Sequence, residues 1–185
     1  VYVNANNGTI SVGGKLTVNG GVIKGFKRGS SNGGAIGGWA GSEIVVNGGK
    51  IYGGKAGNSG DNIDMSHASA TLTITGGEFE PLYGYDGSSV YLTNGTNDIE
   101  FSVTGGTFNT KIGVADASKA GVKGSVSGGT FSEPAKTATN PALIAEGYDF
   151  VSNGDGTYTV MFNQSSVGVT DEKAKPHLEA LGRKH

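Results

Sequence analysis

Five times along this chain a short alternating run ends in a pair of glycines. The runs are Leu16-Thr17-Val18-Asn19-Gly20-Gly21, Ile44-Val45-Val46-Asn47-Gly48-Gly49, Leu72-Thr73-Ile74-Thr75-Gly76-Gly77, Phe101-Ser102-Val103-Thr104-Gly105-Gly106 and Gly124-Ser125-Val126-Ser127-Gly128-Gly129. The pairs begin at positions 20, 48, 76, 105 and 128, so successive spacings are 28, 28, 29 and 23 residues. Two residues beyond each pair stands Ile23, Ile51, Phe79, Phe108 or Phe131. A near-constant period of this size marks a repeat architecture, in which one unit cannot bury its apolar face alone and its neighbours bury it instead.

Within each run, alternate side chains point to opposite faces if the run is a strand. One face then carries Leu16, Ile44, Leu72 and Phe101, followed by Val18, Val46, Ile74, Val103 and Val126. The other face carries Thr17, Val45, Thr73, Ser102 and Ser125, followed by Asn19, Asn47, Thr75, Thr104 and Ser127. The glycine pair supplies a corner, since glycine takes a positive φ at little cost. The pattern therefore predicts an all-β solenoid of parallel strands, with about five turns of 23 to 29 residues. A helical solenoid would need runs of about 10 to 15 residues with 3.6-residue periodicity, and none occurs between Val1 and Thr170. Gly34-Ala35-Ile36, Asn62-Ile63-Asp64-Met65 and Val90-Tyr91-Leu92 are read as a further side of each turn, in a register open by one residue because one spacing is 29.

Composition narrows the classes. Thirty-five glycines in 185 residues do not recur every third residue and are accompanied by only four prolines, which excludes a collagen helix. The 35% hydrophobic content, arranged in short β-rich runs, argues against disorder. A formal charge of −2 and only two arginines, Arg28 and Arg183, argue against a nucleic-acid partner. Without cysteine there is no disulfide, thiolate metal site or cysteine nucleophile. No stretch approaches the ~18 apolar residues of a membrane span and no secretory leader is evident. A chain opening on Val1 is read as a processed or excised piece.

The runs "LTVNGGVI", "LTITGGEF", "FSVTGGTF" and "GSVSGGTF", with "NGGAI" at 32–36, resemble the right-handed parallel β-helix repeats of bacterial secreted and cell-surface proteins, including adhesin-like proteins of gut bacteria. The resemblance covers roughly residues 8–162, and "NPALIAEGYDFVSNGDGTYTV" at 140–160 is similar to the unit that often closes such arrays. It implies a right-handed parallel β-helix at the cell surface or outside the cell. The implied partners are glycans or a host or cell-surface protein, with no cofactor. It does not select an activity, because the same fold carries adhesins, polysaccharide lyases, glycosidases and ice-binding proteins.

The expected organisation is a β-helix over residues 1–132, a capping segment over 133–162 and a linker or tail over 163–185. Pro134 and Pro141 interrupt strand pairing, and Asn153-Gly154-Asp155-Gly156 between Tyr148-Asp149-Phe150-Val151 and Thr157-Tyr158-Thr159-Val160 signals a hairpin that covers an otherwise open edge. In the tail, Pro176–Gly182 could form at most a short helix.

Candidate chemistry is sparse. Asp61-Asn62-Ile63-Asp64, with His67 three residues on, is the densest polar set, but it has too few carboxylates for a calcium loop and no stacked partner for acid–base work. It is read as a solvated loop. His177 and His185 lie in the tail, so no zinc cluster is expected. Trp39, Tyr52, Tyr83, Tyr85 and Tyr91 fall in the middle turns. Trp39, Asp64 with His67, and Tyr91 are expected on one side of three successive turns, within the register ambiguity. An indole or phenol stacks on a pyranose while a carboxylate or imidazole bonds its hydroxyls. These four form the candidate ligand-binding set. The leading expectation is a non-catalytic surface module for adhesion or carbohydrate recognition. The alternatives are a fragment of a polysaccharide lyase or glycosidase and, through the outward threonine and asparagine columns, an ice-binding solenoid.

Overall fold

Each repeat contributes one short strand to a first sheet and a run through its glycine corner to a second, the run being one ten-residue strand in the first two repeats and two shorter strands in the last three. The computed structural model describes residues 9–25, 27–28, 34–53, 55–56, 61–65, 69–82, 87–92, 98–116, 122–132 and 143–163. The first repeat holds β1 (Ile10–Val12), β2 (Lys15–Lys24) and β3 (Lys27–Arg28), and the second β4 (Ile36–Gly38), β5 (Glu43–Tyr52) and β6 (Lys55–Ala56). The third holds β7 (Ile63–Met65), β8 (Thr71–Ile74) and β9 (Glu78–Glu80), and the fourth β10 (Ser88–Leu92), β11 (Ile99–Val103) and β12 (Thr107–Phe108). The fifth holds β13 (Ile112–Asp116), β14 (Val122–Val126) and β15 (Thr130–Phe131), followed by β16 (Tyr148–Ser152) and β17 (Tyr158–Phe162).

The protein is all-β, with mostly parallel strands in two main sheets, one of them strongly curled. One sheet runs β1-β4-β7-β10-β13, all parallel. The curled sheet contains β2, β5, β8, β11 and β14 and continues around the glycine corners into β9, β12 and β15. β3 and β6 form a separate parallel pair. Each strand pairs with its equivalent one repeat later, so like residues stack. Val18, Val46, Ile74, Val103 and Val126 form one ladder, and Ile23, Ile51, Phe79, Phe108 and Phe131 another. Apart from Ile23 in the first repeat, both ladders are buried, with Leu72, Ile63 and Val90 in the same core.

The short last spacing is absorbed mostly in one corner. β12 and β13 are joined by Asn109–Lys111, whereas residues 81–87 join β9 and β10. The ladders remain in register because the length change falls between strands.

At the C-terminal end β16 and β17 form an antiparallel hairpin around Asn153-Gly154-Asp155-Gly156, and β17 pairs antiparallel with β15 through Thr130–Thr159 and Phe131–Tyr158. Phe150 packs its ring edge on Phe131, so the hairpin covers the end of the phenylalanine ladder. The tail segment 176–182 lies outside the described residues. At the other end a concavity of about 330 Å³ opens along Ile10–Leu16. Among the described residues no strand precedes β1 and β2, and Ile10, Leu16 and Ile23 are accordingly less buried than Ile36, Ile44 and Ile51.

Candidate functional site

The one-residue register ambiguity resolves so that Ser11, Gly37, Asp64, Tyr91 and Ala115 form one outward column of the β1-β4-β7-β10-β13 sheet. Their sequence neighbours Ile36, Ile63, Val90 and Val114 form the inward column, and all four are buried. Asp64 and Tyr91 are thus direct cross-strand neighbours, with Gly37 on the other side of Asp64. Asp64 is only 9% exposed and Tyr91 is half-buried.

Trp39 does not join that column. It follows β4 by one residue, where its N–H donates to the Val12 carbonyl (2.8 Å) and its own carbonyl accepts from the Ser42 N–H (2.9 Å). Gly41 at φ 74° completes this corner. Trp39 lies two residues beyond Gly37, roughly 7 Å further along at the usual strand rise and past the last register pair of β4. Combining that offset with two strand spacings puts it roughly 12 Å from Tyr91, about the reach of two pyranose rings. Its side chain is 37% exposed. His67, like Tyr83 and Tyr85, lies outside the described residues.

Asp61-Asn62-Ile63-Asp64 is not the solvated loop its composition implied. All four residues are buried, because the segment closes the corner leading into β7. The Asn62 amide donates from Nδ2 to the Ile51 carbonyl (2.5 Å) and the Glu80 carbonyl (2.9 Å), tying two neighbouring repeats together. Asp61 accepts the Ser88 N–H at Oδ1 (2.9 Å), which ties the third repeat to the fourth. The next corner uses hydroxyls for the same purpose. Ser89 and Thr110 lie 2.6 Å apart, and Thr110 donates to the Ile112 carbonyl (2.7 Å). Sequence reading missed this buried polar line. Its signal was that Ala35, Asn62, Ser89 and Gly113 each immediately precede one member of a single apolar column.

Burial pushes the Asp61 carboxyl up to about 6, with the Ser88 N–H opposing the rise and the nearby Asp64 carboxylate adding to it. The native state therefore holds the Asp61 proton more tightly than the unfolded chain does. The contribution of Asp61 to stability is greatest below the unfolded value near pH 4 and falls as pH rises toward 6, by about 3 kcal/mol in all. Asp61→Asn keeps a carbonyl oxygen for the Ser88 N–H and removes the charge. It is expected to raise the urea midpoint at pH 8 and to change it little at pH 4. A variant less stable than the parent at pH 8 would show that the charged carboxylate supports the fold.

Among the described residues, no group of three or more histidine, aspartate or glutamate side chains is placed to hold a metal ion. Comparison with protein-family models, with curated proteins and with solved structures finds no match to this chain.

Proposed function

We propose that the chain is a right-handed parallel β-helical module of a secreted or surface-anchored bacterial protein, which recognises a glycan on the outer face of the β4-β7-β10 strands and does not turn it over. The observation that carries this reading is the direct register pairing of Asp64 with Tyr91, with the exposed Trp39 just past the end of the neighbouring strand β4. A carboxylate beside one aromatic side chain, with a second ring about two sugar rings away, suits a shallow sugar site, because the rings stack on the apolar faces of pyranoses while the carboxylate accepts their hydroxyls. Stacking of equivalent strands across five repeats supports the solenoid, since each ladder runs through the whole array.

The test is a titration of the protein, by tryptophan fluorescence and calorimetry, with oligosaccharides from xylan, mannan, cellulose, pectin and mucin. At least one is expected to shift the Trp39 emission, and Trp39→Ala or Tyr91→Ala to weaken its binding tenfold or more with the circular dichroism spectrum unchanged. No spectral or calorimetric response to any of them, or unchanged affinity in both variants, would remove this face from consideration.

One observation favours an enzymatic reading: a carboxyl pushed up to about 6 beside a second carboxylate, as a glycosidase acid requires. Against it, Asp61 Oδ1 is engaged by the Ser88 backbone N–H, which leaves it poorly placed to protonate a glycosidic oxygen. Release of reducing ends or unsaturated sugars, abolished by Asp64→Asn, would establish the enzyme. The ice-binding alternative draws on the outward amide and hydroxyl column. There the Asn47 amide donates to Asn19 Oδ1 (2.9 Å) and the Thr75 hydroxyl to Asn47 Oδ1 (2.8 Å), so donors that would have to meet an ice lattice are used within the ladder.

A further inference from the structure

A different side of the molecule carries chemistry that the repeat does not ask for. On the outward face of β8 and its neighbours, equivalent positions hold Thr17, Val45, Thr73, Ser102 and Ser125, the small β-formers that suffice to cover a sheet. Past the glycine corner the outward column instead reads Lys24, Tyr52, Glu80 and Asn109. Lys24 pairs with Tyr52 and Tyr52 with Glu80, and Asn109 follows the Phe108 partner of Phe79. Beneath them Ile51, Phe79 and Phe108 are completely buried, so the column stands on a rigid floor.

We propose that the outer face carrying Tyr52, Glu80 and Asn109 is a second ligand site, which takes a neutral oligosaccharide laid across the strands. Tyr52 is half-buried, with no hydrogen-bond partner for its phenolic oxygen among the described residues, and the Lys24 ammonium lies 5.4 Å from its ring centroid. The Asn109 amide donates to Glu80 Oε1 at 2.7 Å, which fixes the carboxylate and leaves Oε2 for a sugar hydroxyl. The Glu80 backbone is pinned from beneath, its carbonyl accepting from the Gly53 N–H (3.0 Å) and the buried Asn62 amide (2.9 Å). An acceptor held in this way is pre-organised, and ligand binding then loses less side-chain freedom.

Charge selects the ligand class. In the adjacent outward column Lys50 pairs with Glu78 at 2.6 Å, so two lysines and two glutamates share this face and cancel. A polyanion would meet Glu78 and Glu80, and a polycation would meet Lys24 and Lys50. A neutral chain meets donors, acceptors and a ring. Tyr52 and Asn109 are two strand spacings apart, roughly 10 Å, which matches two sugar rings. Stacking on Tyr52 requires the Lys24 side chain to swing off the ring, after which its ammonium is free to donate to a ligand hydroxyl.

The ligand class rests on the glycan reading above, but none of the residues is shared with it, so the two can fail separately. Cellohexaose, xylohexaose and mannohexaose are titrated by calorimetry and by ¹⁵N amide shifts against the parent protein and four variants. At least one sugar is expected to bind with shifts centred on Tyr52, Gly53, Glu80 and Asn109. Tyr52→Ala and Glu80→Gln should weaken that binding tenfold or more, and Tyr52→Phe should keep it within threefold. Binding lost in Trp39→Ala but unchanged in Tyr52→Ala and Glu80→Gln would overturn the second site and leave the first standing. Loss in the Tyr52 and Glu80 variants with no effect of Trp39→Ala would establish this site. Failure of all three neutral sugars while an acidic oligosaccharide binds would overturn the second site alone.

Discussion

Phe108→Ala is expected to cost about 4 to 5 kcal/mol, near the upper end of what a single core truncation removes. Phe108 is the middle of three stacked rings. Its centroid lies 4.8 Å from Phe79 with 6° between planes, and 4.5 Å from Phe131 with 9° between planes. The ring is completely buried, so truncation removes its transfer free energy and leaves a cavity that the strands on either side, held by ladder hydrogen bonds, cannot collapse into. Each lost ring pair adds about 0.5 to 1.5 kcal/mol beyond the buried area. Thr107, one residue before, faces outward in the same strand, and Thr107→Ala is expected to cost less than ~1 kcal/mol. Urea unfolding of both variants measures the difference. Similar losses would mean that the inward and outward faces of β12 are wrongly assigned. Because Phe131 also supports Phe150 of the hairpin, Phe108→Ala should loosen the C-terminal end first, visible as faster amide exchange in β16 and β17.

Much of this arrangement was legible in the sequence because its determinants are local and repeated. Alternation assigned Val18 through Val126 and Ile23 through Phe131 to the core, and Asn153-Gly154-Asp155-Gly156 marked the hairpin turn. Register on the β1-β4-β7-β10-β13 sheet was legible only to within one residue, since the strands are short and the connecting lengths vary. Met65 to Leu72 spans 7 positions and Leu92 to Phe101 spans 9, although both pairs of residues are in register partnership. The candidate site suffered for that reason. Asp64 and Tyr91 fall together, but Trp39 lies one residue past the end of β4, beyond the register pairs. The burial of Asp61 and Asn62 was hidden for a different reason. Hydrophilic residues in a short connection resemble solvated ones unless their partners are known, and here the partners are backbone groups 11 to 27 positions away. The Tyr52 face shows the converse. Its residues are ordinary in sequence and become notable only when register sets them beside one another.

The two glycines of each pair serve different purposes, and the first one carries the second large prediction. The second glycine has a positive φ in all five repeats: 84° at Gly21, 92° at Gly49, 100° at Gly77, 105° at Gly106 and 102° at Gly129. That conformation turns the corner and disfavours any residue with a Cβ. The first glycine is constrained by the neighbouring repeat. A Cβ on Gly48 would sit 2.9 Å from the Asn19 carbonyl oxygen, and one on Gly76 2.5 Å from that of Asn47. On Gly105 and Gly128 it would press still closer on the carbonyls of Thr75 and Thr104. Gly20 occupies the same place in the first repeat, and a Cβ there meets nothing within 4 Å. Gly76→Ala is therefore expected to destabilise by about 2 to 4 kcal/mol, because the atom in the way is backbone and the strand itself must move. Gly20→Ala is expected to change stability by less than ~1 kcal/mol, with a gain allowed from the lower entropy of the unfolded chain. Chemical denaturation of the two variants at one pH measures both. Equal losses at Gly20 and Gly76 would place the requirement for glycine in the local backbone of each repeat and remove close approach between neighbours as its cause. A large loss at Gly76 alone would mean that strand separation at the corner sets the residue, and a strand moved there would carry Lys50, Tyr52 and Glu78 of the proposed second face with it.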